Sequence, residues 1–352
     1  MSERDPDGRS EMPARSTEEA ADRTQPTSRW DRRTLLRTAG AVAAAGVTTQ
    51  TVSAQSSATG PTVYVGGVFF GGGGRLIAVD VTTGKQDWVS TEPLAQVASS
   101  PTVVNGTVYV GSGQFGEDGT GDGTLHALDA VTGEQEWMFT EPSNEVRSSP
   151  TVVDGTVYVG SFDETLYAVD AATGEQKWAF TQPSDAVVSS PTVVDGTVYV
   201  GSGDVMLYAV DAETGEQEWA FTEPSAQAAS SPTVVDGTVY VGSSHGEDND
   251  GTLYAVDTET GEQEWAFTEP SARVASSPTL MNGTVYVGSF DETLYAVDAA
   301  TGEQEWAFTQ PSSFLFSSPT VVDGTVYVGS HDETLYAVDA ATGEQEWAFT
   351  QP

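Results

Sequence analysis

The chain has 352 residues, with 13 Lys and Arg against 52 Asp and Glu, a formal net charge of -39, and no cysteine. So acidic a body repels nucleic acid and anionic membrane surfaces, and without cysteine there is no disulfide, thiolate metal site or lipidated N-terminal cysteine. Hydrophobic residues still make up 38% of the chain, and their patterning sets it apart from acidic disordered sequences.

Residues 1–30 are polar and charged without hydrophobic period and predict a disordered leader. In the stretch that follows, Arg32 and Arg33 precede Leu35 and Leu36, an Ala/Gly/Val run extends from Ala39 to Val47, and Val52-Ser53-Ala54 offers small residues to a peptidase. The pattern resembles a twin-arginine export signal, with Asp31 where Ser or Thr often precedes the arginine pair. The run from Ala39 to Val47 is too short to span a bilayer. The expected division is a leader and signal over residues 1–54 and a folded body over 55–352, exported to the cell surface or beyond and without a membrane span once the signal is removed.

The body is a repeat. Trp88, Trp137, Trp178, Trp219, Trp265, Trp306 and Trp347 lie 49, 41, 41, 46, 41 and 41 residues apart, which sets a unit of 41 residues with local insertions within residues 111–124 and 242–252. The unit over residues 148–183 divides into four β-branched and aromatic runs, SPTVV, TVYVG, TLYAVD and QKWAFT, separated by DG, SFDE and AATGE. Asp154-Gly155 fits a two-residue type I′ hairpin, as do Asn105-Gly106, Asp195-Gly196, Asp236-Gly237, Asn282-Gly283 and Asp323-Gly324. Four antiparallel strands recurring at about 40 residues predict the blades of an all-β propeller, and no sustained 3.6 period supports a helical solenoid. Each indole, on an outer strand, is expected to fasten one blade to the next.

Ala296-x-Asp298-x-x-Thr301-Gly302-x-x-x-Trp306, present in all seven copies, is similar to the tryptophan-docking motif of quinoprotein-like propellers, the pyrroloquinoline quinone (PQQ) repeat family. The resemblance covers residues 62–352. Members of that family commonly have eight blades; this sequence predicts seven, with the innermost strand of blade 1 supplied by the N-terminal segment, around residues 56–59, and lying beside blade 7. The resemblance implies either a PQQ- and Ca²⁺-dependent oxidoreductase or a non-catalytic scaffold like the family's assembly factors. The acidic composition, with eight of the 13 basic residues before residue 55, resembles that of halophilic archaeal proteins, and salt is expected to relieve its self-repulsion.

In this architecture the Asp-Gly and Ala-Thr-Gly turns share one face, and the second-to-third strand loops and blade links share the other, here called the top. Residues 156–184 and 284–312 differ only at Lys177 against Glu305, whereas the links read LAQVA, SNEVR, SDAVV, SAQAA, SARVA and SSFLF. Sequence variation therefore marks the top as the candidate binding face. Arg75, Arg147 and Arg273 are expected there as readers of a carboxylate or acidic partner. Phe69, Phe70, Phe314, Leu315 and Phe316 form either a contact patch or packing for the central channel. Glu117, Asp118 and Asp122, with Glu247, Asp248 and Asp250, are oxygen donors that either hold Ca²⁺ or form solvated acidic loops. His126, His245 and His331 lack the paired spacing of a metal site. Asn105 and Asn282 begin glycosylation sequons inside tight hairpins. The near-identity of the blades argues against catalysis, which needs different residues in different blades. The expected function is a monomeric scaffold binding a protein, peptide or cell-surface polymer through its top face.

Overall fold

The computed structural model describes residues 52–57, 60–69, 73–90, 94–115, 121–222, 226–228, 230–245 and 251–350. They form seven antiparallel sheets, the blades of a propeller, each built on four strands in chain order, with a short fifth strand added in two of them. Blade 6 shows the pattern, with Thr279–Met281 innermost, then Thr284–Gly288, Leu294–Asp298 and Gln304–Phe308. Its first hairpin turns at Asn282 and Gly283, both at positive φ (53° and 85°), as a type I′ turn requires.

Each docking motif works as a unit. Ala296 faces Trp306 across the outer pair, and the register shifts between Ala296 and Val297, so a bulge precedes the turn. Asp298 then closes that turn, its Oδ1 accepting from the Thr301 N–H (2.8 Å), the Ala300 N–H (3.1 Å) and the Thr301 hydroxyl (2.8 Å). The Thr301 hydrogen bonds hold the Asp298 carboxyl below the usual carboxylate range. Gly302, at φ 72°, brings the turn against the indole of the preceding blade. The Trp265 Nε1–H donates to the Ala299 carbonyl in that turn (3.0 Å), and the Tyr240 hydroxyl donates to the same oxygen (3.3 Å). The link repeats from Trp88 to Ala130 through Trp306 to Ala340.

Among the described residues the core is therefore a series of six buried clusters, one at each junction from blades 1–2 to blades 6–7. Inner strands add a ladder of their own: the Thr279 hydroxyl donates to the Pro319 carbonyl (2.6 Å) and the Ser277 N–H to Ser318 Oγ (3.1 Å).

The N-terminal segment does complete blade 1, but as Val52–Ser57 rather than around residues 56–59, paired with Gly60–Phe69 from Val52↔Val65 to Ser57↔Gly60. The division expected after Ala54 falls inside this strand. Among the described residues the expected seal between blades 7 and 1 is not formed: Trp347 is 38% exposed where Trp306 is 9%, and nothing lies within 4 Å of a Cβ built on Gly84, the matching turn glycine of blade 1. The strand Val52–Ser57 also lacks the Ser-Ser-Pro segment through which the other inner strands join.

Both insertions lengthen the second strand of their blade, and the first also lengthens its hairpin. Thr107–Phe115 pairs with Gly121–Asp129 as far as Phe115↔Gly121, and Thr238–His245 reaches past the end of its partner Leu253–Asp257. The extended arms collect short strands from the blade links, Gln96–Val97 and Ala226–Ala228.

Candidate functional site

In blades 3, 4, 6 and 7 the second-to-third strand loop is tied to the link that precedes its blade. In blade 6, Asp291 accepts through Oδ2 from the Ser271 N–H (2.9 Å) and from the Tyr295 hydroxyl (2.9 Å). The Asp163, Asp204 and Asp332 carboxylates hold Ser143, Ser184 and Ser312 in the same way. Burial and the Asp291 carboxylate push the Tyr295 hydroxyl well above its usual range, and Tyr167 and Tyr208 behave alike. In the links before blades 3, 6 and 7 one apolar residue seals the junction below, Val146, Val274 and Leu315, all at 0% exposure. The residues on either side of it are the ones that differ between blades.

At blades 6 and 7 those variable positions converge. The Arg273 guanidinium lies 5.2 Å from the Phe290 ring centroid, Phe290 stacks on Phe314 at 4.8 Å, and Phe314 stacks on His331 at 4.4 Å. Phe316 meets the Phe290 ring edge-on at 6.0 Å and is 64% exposed, more than any other Phe, Tyr or Trp among the described residues. Backbone bonds fix the column, from the Phe290 N–H to the Arg273 carbonyl (2.9 Å) and from the His331 N–H to the Phe314 carbonyl (3.1 Å). The structure thus brings together Arg273, Phe314, Phe316 and His331; Leu315 belongs to the core below.

The other arginines are placed differently. Arg147 repeats the stacking over Phe162 at 4.9 Å, but its Nε donates to Glu145 Oε2 at 2.6 Å, and that carboxylate is almost wholly buried. Arg75, expected in a loop, stands on the third strand of blade 1 opposite Gly67 and donates from Nη1 to the Ser90 carbonyl (2.7 Å), because this hairpin continues to Phe69↔Gly73. Phe69 is a strand residue whose side chain, like Phe70, lies outside the described residues. Asp122 is an exposed strand residue opposite Gln114; Glu117, Asp118, Glu247, Asp248 and Asp250 lie outside the described residues. Among the described residues no three carboxylate or imidazole groups come together to hold a metal ion. His126 is buried with Nε2 2.9 Å from Ser112 Oγ and Nδ1 3.2 Å from Gln135 Oε1, and burial lowers its pKa. Asn105 and Asn282 are the positive-φ residues of their hairpins.

Phe290, Phe162 and Glu145 escape sequence reading. Phe162 and Phe290 belong to identical SFDE loops, so neither stands out from the repeat. The usable signal is that the same position is Gly203 in blade 4 and His331 in blade 7.

A quinone with its metal needs a set of converging carboxylates and amides. The described top-face residues do not fit that requirement: Glu145, the buried carboxylate nearest to such a role, is already neutralised by Arg147.

A family model described as outer membrane protein assembly factor BamB matches residues 20–137, 102–193, 184–281 and 249–352. No curated protein sequence matches the chain. Among solved structures it is similar to BamB from Moraxella catarrhalis, at 20% identity and TM-score 0.64, over 81% of this chain and 84% of that one. The computationally designed Ika8 protein matches at 17% and 0.70 over 86% and 88%. A europium-containing methanol dehydrogenase matches at 15% and 0.63 over 82% and 76%. At these identities the likeness concerns the fold.

Proposed function

We propose, from the premise that this chain belongs to the PQQ-repeat family described as outer membrane protein assembly factor BamB, that it is an exported, non-catalytic propeller. It holds a protein partner on the top face of blades 6 and 7. The observation that carries this reading is the column Arg273, Phe290, Phe314 and His331, with Phe316 beside it at 64% exposure. Outside its links and two insertions the repeat varies little from blade 2 onward, and in the links of blades 6 and 7 the chain departs from it toward apolar and cationic side chains. Large exposed rings on a rigid support mark contact surfaces.

Export rests on Arg32-Arg33 and the apolar run after it, and an acidic body suited to concentrated salt would fold before crossing the membrane. The oxidoreductase reading shares the fold of a methanol dehydrogenase but lacks a matching residue set on the described top face. A photo-crosslinking amino acid placed at position 316 in the source cell is expected to give discrete protein adducts, whereas one at Met138, exposed on an outer strand, gives none. Equal adducts at both positions, or none at 316, would refute the reading.

A further inference from the structure

Blades 3 and 6 build the same unit twice and finish it once. In both, a link residue's carbonyl accepts from the N–H of the loop phenylalanine at 2.9 Å, Glu145 for Phe162 and Arg273 for Phe290. In both, an arginine lies over that ring. In blade 3 the guanidinium is neutralised from within by Glu145 at 2.6 Å. In blade 6 the arginine itself occupies the glutamate's position, and its side chain makes no ion pair or hydrogen bond among the described residues, with Nε buried and unpartnered. A guanidinium left in this state on a body of net charge -39 is a complementary seat for a carboxylate, the group that completes the blade 3 unit.

Resting on the top-face reading above, we infer that Arg273, Phe290 and Phe316 bind the C-terminal residue of a partner protein. Arg273 takes the terminal carboxylate, and an aromatic or large aliphatic terminal side chain lies against Phe290 and Phe316. Arg273 and Phe316 flank one and the same ring, so the two groups required are close together, as they are on a single terminal residue. Charge selects the same source. An acidic stretch with several carboxylates is repelled by the body, while an otherwise neutral segment brings one negative charge to Arg273, which has no carboxylate partner among the described residues.

The test uses the full chain in concentrated KCl and fluorescence anisotropy of a labelled neutral peptide ending in Phe, prepared with a free and with an amidated C-terminus. Free peptide is expected to bind, and amidation to weaken binding about tenfold or more, the scale of a charge-assisted pair. Arg273→Gln is expected to abolish the difference between the two peptides. Phe316→Ser, at an exposed position that folding does not depend on, is expected to weaken both. Equal binding of the two peptides by the unaltered chain overturns the inference, as does binding of neither, or binding of a carboxylated polysaccharide in place of the peptide. Adducts from position 316 without peptide binding would leave the partner surface standing and remove only its C-terminal specificity.

Discussion

Trp306→Ala is expected to destabilise the propeller by about 3–5 kcal/mol, the range for deleting a buried tryptophan, while Trp347→Ala costs no more than about 2 kcal/mol because its ring is only partly removed from water. The two residues occupy the same position in neighbouring blades and differ in what covers them. Trp306 is 9% exposed, donates to the Ala340 carbonyl at 3.1 Å and packs in the cluster with Tyr286, Val326 and Val338. Trp347 is 38% exposed, on an outer strand exposed along its whole length. Denaturant midpoints of the two variants, taken in the same salt, check the contrast; equal losses would mean that the seventh indole is buried in solution.

The second large effect concerns the partner of the indole. A methyl group on Gly302 would lie 2.7 Å from Trp265 Cδ2, at φ 72°. Gly302→Ala therefore carries about 1–2 kcal/mol for the left-handed backbone and a further ~1–3 kcal/mol for overpacking. Gly84→Ala, at φ 68° with nothing within 4 Å, carries the backbone cost alone. Removing the ring isolates the difference, since residues in contact couple. In a Trp265→Ala background Gly302→Ala should cost about as much as Gly84→Ala. A Gly84→Ala variant as damaged as Gly302→Ala would place an indole, by position that of Trp347, in the open turn of blade 1.

How much of this the sequence carries depends on the range of the interaction. The Asp298 to Trp306 segment is read correctly down to its turn because every contact that shapes it, from the Asp298 carboxylate to the bulge at Ala296, is local and repeated. The two insertions are read less well. Residues 111–115 and 121–124 look like acidic loop but extend a hairpin, since cross-strand pairing across a Gly-rich stretch leaves no hydrophobic period. The same effect moved Arg75 from a loop to a strand. At the candidate site, Arg273, Phe314 and Phe316 stand out as departures from the repeat, but their junction through Phe290 depends on the spacing of neighbouring blades. Nothing in the SFDE loop distinguishes the phenylalanine under a neutralised arginine from the one under an open one.

Blades that repeat so closely leave few residues with which to build a catalytic centre, and the proposed function is that of a non-catalytic propeller. Its most direct test is a titration of the full chain with PQQ and Ca²⁺ in concentrated KCl, followed by quinone absorbance and by melting temperature. No saturable change in either signal is expected from a well-folded sample. Saturable binding that raises the melting temperature would contradict it and restore the oxidoreductase reading.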